Sequence, residues 1–259
     1  MRKITICQGW MAFLMLVMAT GATVAKEADI VHLARTPLSR SKAKLAAGKP
    51  LTVVCFGDSI TEIGTAARWN IDWAGGASKP EKNWGAVVVD GLRKAYPKST
   101  ITLISQGIGG ESSAEGVKRL EALAAAKPDL VLVEFGSNDC GYHELPPEKS
   151  AAAMTTILQR IEGVLKADAV VVGIGGDNPL KASMKDAMKH RKETEAAIIA
   201  VAKRLNVPYA DVRSAILAAT ENGAKWSAFH TSETDCHPND AGHAVWAGAV
   251  KAALKPLFK

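Results

Sequence analysis

Internal repeats, low-complexity tracts, domain linkers and basic stripes are all absent from this 259-residue chain. Its 32 Lys and Arg are scattered among 26 Asp and Glu without interleaved aromatics, which argues against a nucleic-acid partner. Cysteine is scarce, at four residues. A metal site from His230, Asp235, Cys236 and His237 would suit no familiar ligand spacing, so no metal is expected. The one long apolar run is 11–24, behind Arg2 and Lys3. A basic start, a short apolar stretch and Ala25 as exit point describe a secretory signal peptide, not a membrane span. Removal of residues 1–25 lowers the net charge from +6 to +4 and leaves a domain over 26–259. That domain is expected outside the cytoplasm, periplasmic or extracellular, with no membrane attachment. Cys7 leaves with the signal, so Cys55, Cys140 and Cys236 remain, enough for one disulfide at most.

What is present is a soluble, globular composition, 47% hydrophobic and 22% charged. Short apolar runs at 53–56, 101–104, 130–135, 169–174 and 207–212 read as buried strands. Helical periodicities separate them: a short helix over 39–47 precedes the first, and Met154, Ile157, Leu158, Ile161 and Leu165 mark the clearest. Residues 62–83 read as a long loop carrying Trp69 and Trp73. Five strand–helix alternations predict a parallel sheet covered on both faces, an α/β three-layer α/β/α sandwich. A flavodoxin-like strand order of 2-1-3-4-5 would gather four strand ends around one crevice.

Those ends carry matched chemistry. The first strand stops on Gly57-Asp58 and delivers Ser59; taken alone, the pair reads as a turn and helix cap. The second leads to a glycine run in which Gly110 presents a free backbone N–H. The third leads to Asn138, a side-chain amide donor, and the segment after the fifth brings His237 ahead of a helix. A serine that transfers an acyl group needs a base for its proton and donors for the oxyanion. The α/β-hydrolase elbow G-x-S-x-G is missing, and no phosphate-binding loop follows the first strand, which disfavours a flavin module.

Gly57-Asp58-Ser59-Ile60, the glycine run to Gly110, Gly136-Ser137-Asn138-Asp139 and His237-Pro238-Asn239 resemble the four sequence blocks of the GDSL, or SGNH, hydrolases. The resemblance covers nearly all of the chain after the signal. It implies a flavodoxin-like five-stranded fold and cofactor-free ester or thioester hydrolysis. It makes Ser59 the nucleophile, His237 the base, and Ser59 N–H, Gly110 and Asn138 the oxyanion hole. Two positions depart from the pattern. Ser105 stands where the second block usually opens with Asn, and the expected D-x-x-H acid position before His237 is occupied by Thr234. Asp235 is the expected triad acid if the segment is irregular; Glu233, or a main-chain acceptor, is the alternative.

The expected activity is hydrolysis of small acyl esters, acetyl esters of carbohydrate in particular, with Trp69 and Trp73 as aromatic platforms or loop anchors. A lysophospholipase or thioesterase of the same family and a carbohydrate-binding pseudoenzyme are the alternatives. Cys140 follows Asn138 by two residues and Cys236 directly precedes His237, so a Cys140–Cys236 disulfide is expected, with Cys55 a buried thiol. His32, His143, His190, His230 and His243 read as structural or surface residues.

Overall fold

The apolar runs form one sheet whose strands are buried on both faces. The computed structural model describes residues 36–62, 82–175, 190–221, 223–231 and 236–258. In chain order its elements begin α1 (Ser39–Ala46), β1 (Leu51–Gly57), α2 (Trp84–Ala95), β2 (Ile101–Gly107), α3 (Ser113–Lys118) and α4 (Leu120–Ala125). They continue β3 (Leu130–Glu134), α5 (Ser137–Cys140), α6 (Pro147–Gln159), β4 (Asp168–Val172) and α7 (Arg191–Arg204). β5 (Tyr209–Ala210), α8 (Val212–Glu221) and α9 (Asp240–Ala253) complete them. The sheet is wholly parallel with order β2-β1-β3-β4-β5, the flavodoxin-like order expected.

Alternate strand residues feed two separate cores. Val53, Cys55, Leu132 and Val172 pack with Val88, Leu92, Trp246 and Val250 of α2 and α9. Val54, Phe56, Val133 and Val171 pack on the other face with Met154, Leu158, Ile198 and Val201 of α6 and α7. Two cores with a sheet between them make the three layers.

Two elements differ from their expected extent. The fifth strand is two residues long, because Asp211 caps a helix immediately after it: the Ser214 N–H donates to Asp211 Oδ1 at 2.9 Å. The helix expected through Leu165 ends in a π turn over Arg160–Val164. Gly136 leaves β3 at φ +130°, a conformation closed to side-chain-bearing residues, and so releases the chain toward Asn138. Among the described residues, no helix is long and apolar enough to cross a membrane. The signal segment 1–25, Trp69, Trp73, Glu233, Thr234 and Asp235 lie outside the described residues.

Candidate active site

Ser59 sits in the turn that ends β1. The Thr61 and Glu62 N–H groups donate to the Asp58 carbonyl at 3.2 and 3.0 Å, and the Ile60 N–H donates to Asp58 Oδ1 at 2.9 Å. These bonds absorb the backbone donors of the turn and leave Ser59 at the carboxyl end of the sheet. A Cβ on Gly57 would come within 2.5 Å of Thr61 Oγ1 and 3.0 Å of Glu134 Oε2, so the turn closes only over glycine.

His237 is held from both sides. The Thr231 N–H donates to its carbonyl at 3.0 Å, and Asn239, the cap of α9, follows two residues later. Asn239 Oδ1 accepts from the Gly242 N–H at 3.0 Å. Its Nδ2 donates to the carbonyls of Ser227, Ala228 and His230 at 3.3, 3.2 and 3.1 Å. The result is a 2.9 Å hydrogen bond between His237 Nε2 and Ser59 Oγ. His237 is 4% and Ser59 9% exposed, so little water competes for that bond.

The donors converge on the same place. Asn138 occupies the first turn of α5, and its Nδ2 donates to the Glu111 carbonyl at 3.0 Å and to Asp58 Oδ2 at 3.3 Å. The preceding turn packs against the nucleophile: a Cβ on Gly109 would lie 3.7 Å from Ser59 Cβ, and the Gly109 N–H donates to Glu62 Oε2 at 3.2 Å. Gly110 is exposed at φ +81°, with open space where a side chain would stand. Its carbonyl accepts from His143 Nε2 at 2.9 Å, which steadies the turn. Arg119 ties the layer below together. Its Nη1 and Nη2 donate to the Gln106 and Gly57 carbonyls at 2.9 and 3.2 Å, and its Nε pairs with Glu111 Oε2 at 2.5 Å.

The buried charges behind the site are unusual in number. Asp139 accepts from Ser113 N–H and Oγ at 2.7 and 2.5 Å, pinning α3 to α5. Burial, and then the neighbouring Glu134 charge, push the Asp58 carboxyl well above its usual range. Burial raises Glu134 too, against hydrogen bonds from Asp58 and Thr61. His243 accepts from the Trp84 N–H at 3.2 Å through Nδ1, and burial pushes it down to about 4.

Sequence reasoning placed Ser59, Asn138, Gly110 and His237 at strand ends, and the structure brings these four segments together. The expected Cys140–Cys236 disulfide is a correction: both residues, like Cys55, are thiols. Cys140 Sγ turns back into its own helical turn, donating to the Gly136 carbonyl at 3.1 Å, whereas Cys236 Sγ lies 3.9 Å from His237 Nδ1. Burial pushes the Cys55 thiol up to about 12. His143, read as structural or surface, stands at the oxyanion turn. Beside it Tyr142, 80% exposed, sets its ring edge-on to the His143 ring with centroids 5.1 Å apart. The sequence signal missed for Asp58 and Glu134 was an acidic residue closing an otherwise apolar strand.

A family model for GDSL-like lipases and acylhydrolases matches residues 55–245. An arylesterase of Vibrio mimicus is 31% identical over 83 residues, 32% of this chain and 40% of that protein. A two-domain esterase active on acetylated mannans is similar at TM-score 0.63 and 26% identity, over 86% of this chain and 54% of its own. A catalytic mutant of an acetylxylan esterase from Geobacillus stearothermophilus gives TM-score 0.61 at 19% identity, over 81% and 95% of the two chains. At that identity the last likeness speaks to the fold alone. The chain thus spans less than two thirds of both the arylesterase and the two-domain esterase.

Proposed function

Because the chain belongs to the GDSL-like lipase/acylhydrolase family, we propose that it is an exported serine esterase. Its substrates are small acyl esters, acetyl esters of carbohydrate in particular, and its intermediate is an acyl-enzyme on Ser59. The observation that carries the reading is the 2.9 Å bond from His237 Nε2 to Ser59 Oγ at the carboxyl end of the sheet. A protein that only bound carbohydrate would have no use for a buried serine–imidazole pair.

In this reading His237 takes the Ser59 proton as Oγ attacks the ester carbonyl carbon. The Ser59 and Gly110 N–H groups and Asn138 Nδ2 receive the oxyanion. His237 returns the proton to the leaving alcohol, then activates the water that releases the acid and restores Ser59. The base needs its Nδ1–H held by an acceptor, and Asp235 is the assignment proposed for that role. The acetylated-mannan esterase supports a sugar ester. So does Tyr142, an exposed ring beside the oxyanion turn, the kind of surface on which a sugar ring stacks.

Labelling of the exported protein with a fluorophosphonate, followed by peptide mapping, tests the proposal. The expected result is modification of Ser59 and loss of acetyl-ester hydrolysis in Ser59→Ala. Labelling at another serine, or full activity in Ser59→Ala, refutes it. Intact-mass measurement of the exported chain checks the leader, with cleavage expected after Ala25.

A further inference from the structure

β1 and β3 lie side by side with Gly57 opposite Glu134, so Asp58 and Glu134 meet beneath the nucleophile's turn. Their carboxyls are in hydrogen-bond contact and shut off from solvent, at 1% and 0% exposed. Ionised carboxylates only accept hydrogen bonds, so this contact requires a proton on one of the two. The remaining partners indicate which. Glu134 Oε2 accepts from Thr61 Oγ1 at 2.8 Å, while no donor among the described residues satisfies Glu134 Oε1. A buried acceptor left bare is costly, and a hydroxyl on Asp58 supplies the missing donor.

We infer that Asp58 and Glu134 share one proton, and that Glu134, acting through a neutral Asp58, is a positioning residue for the oxyanion donor Asn138. The inference rests on the esterase reading of the same site. In the resting site Asn138 Nδ2 is engaged by the Glu111 carbonyl and by Asp58 Oδ2. A neutral carboxyl is a weaker acceptor than a carboxylate, so Asn138 can hand that hydrogen to the oxyanion as negative charge develops. An ionised Asp58 would retain the amide and set a full charge beside the developing one.

Charged groups face the pair from each neighbouring element. Asp139 of α5 opposes ionisation of Glu134, and its own oxygens are occupied by Ser113. His237 faces Asp58 across the site, and Arg119 reaches the Gly57 carbonyl beneath it. Burial and the Glu134 charge hold the Asp58 proton in place through the neutral range.

Two measurements test the inference. Glu134→Gln offers an amide N–H to Asp58 and so leaves Asp58 ionised. It is expected to lower kcat on a small acetyl ester on the order of 10- to 100-fold, the effect of one charge near an oxyanion, with KM unchanged. Adding Asp58→Asn removes that charge and is expected to recover most of the lost kcat. A double variant no faster than Glu134→Gln, or a Glu134→Gln of full activity, overturns the inference. Infrared spectroscopy of the unmodified protein at mildly alkaline pH supplies a readout independent of folding in the variants. A buried protonated-carboxyl band, absent from Asp58→Asn, is expected, and no such band in the unmodified protein overturns the shared proton. The band also separates the two readings: a protein that carries it but hydrolyses no ester refutes the esterase and leaves the proton standing.

Discussion

Asn239 does two things with one side chain: its oxygen caps α9, and its amide gathers three carbonyls around the segment that carries His237. Asn239→Ala removes both. Loss of the cap costs about 1 kcal/mol. The amide has two hydrogens shared among three carbonyls at 3.1 to 3.3 Å, partly open to water, so its bonds count for about 1–2 kcal/mol together. The expected loss is therefore about 2–3 kcal/mol, or a Tm lower by about 4–12 °C for a domain of this size. Asn239→Ser keeps a capping oxygen and loses only the clamp, so about 1 kcal/mol should return. Urea unfolding of the three proteins, followed by far-UV dichroism, reads the difference. Unloading the clamp should also lower kcat in both variants, since His237 stands two residues away. A serine variant as stable as the parent, or an alanine variant within 0.5 kcal/mol of it, would show that the carbonyl cluster contributes nothing.

Asn138→Ala should reduce kcat by roughly 10²–10³ on an activated acetate, the usual effect of losing one oxyanion donor; a change confined to KM would make Asn138 a binding residue instead. Tyr142→Ala should raise KM for an acetylated oligosaccharide while leaving a small aryl acetate unaffected, and equal effects on both substrates would remove its role as a sugar platform. Comparing kcat/KM of Asp235→Asn and Glu233→Gln assigns the triad acid, with the large loss expected at Asp235 and a loss at Glu233 alone reversing the assignment. His243 titrates near 4 when folded against an ordinary 6.5, so the unfolded chain takes up that proton first. Its contribution is full above about pH 6.5 and is lost as pH falls toward 4, by up to about 3 kcal/mol. His243→Gln should flatten that limb of the stability curve, and an unchanged limb would place the acid sensitivity elsewhere.

The strands most legible in the sequence were those with no solvent face. Val53, Val54, Cys55 and Phe56 are all apolar because each points into one of two cores, and such runs announce themselves without any alternation. β5 was overread because Val212 continues the apolar run while Asp211 has already capped the next helix; a D-x-x-S pattern was the available signal. At the site, the residues legible in advance were those whose chemistry is local: a serine after a turn, glycines, an amide, a histidine before a cap. Asp58 and Glu134 were not legible as a pair, because Asp58 alone reads as a turn residue and Glu134 as the polar end of a strand. Only the register of β1 on β3 puts them in contact. The disulfide failed for a related reason, since proximity of two loops says nothing about where a thiol points, and Cys140 points into its own turn.

The Ser59–His237 bond joins residues 178 apart in the chain. A nucleophile made early in synthesis therefore has no base until the last helix has docked on α2 and α8. Closing so long a span is among the slower events available to a parallel fold. Ester hydrolysis thus becomes a report on complete folding: a chain halted, nicked or still threading through a membrane before α9 packs carries an ordinary, unreactive serine. Kinetically, recovery of activity during refolding should follow the slowest structural phase, with no active fraction ahead of it.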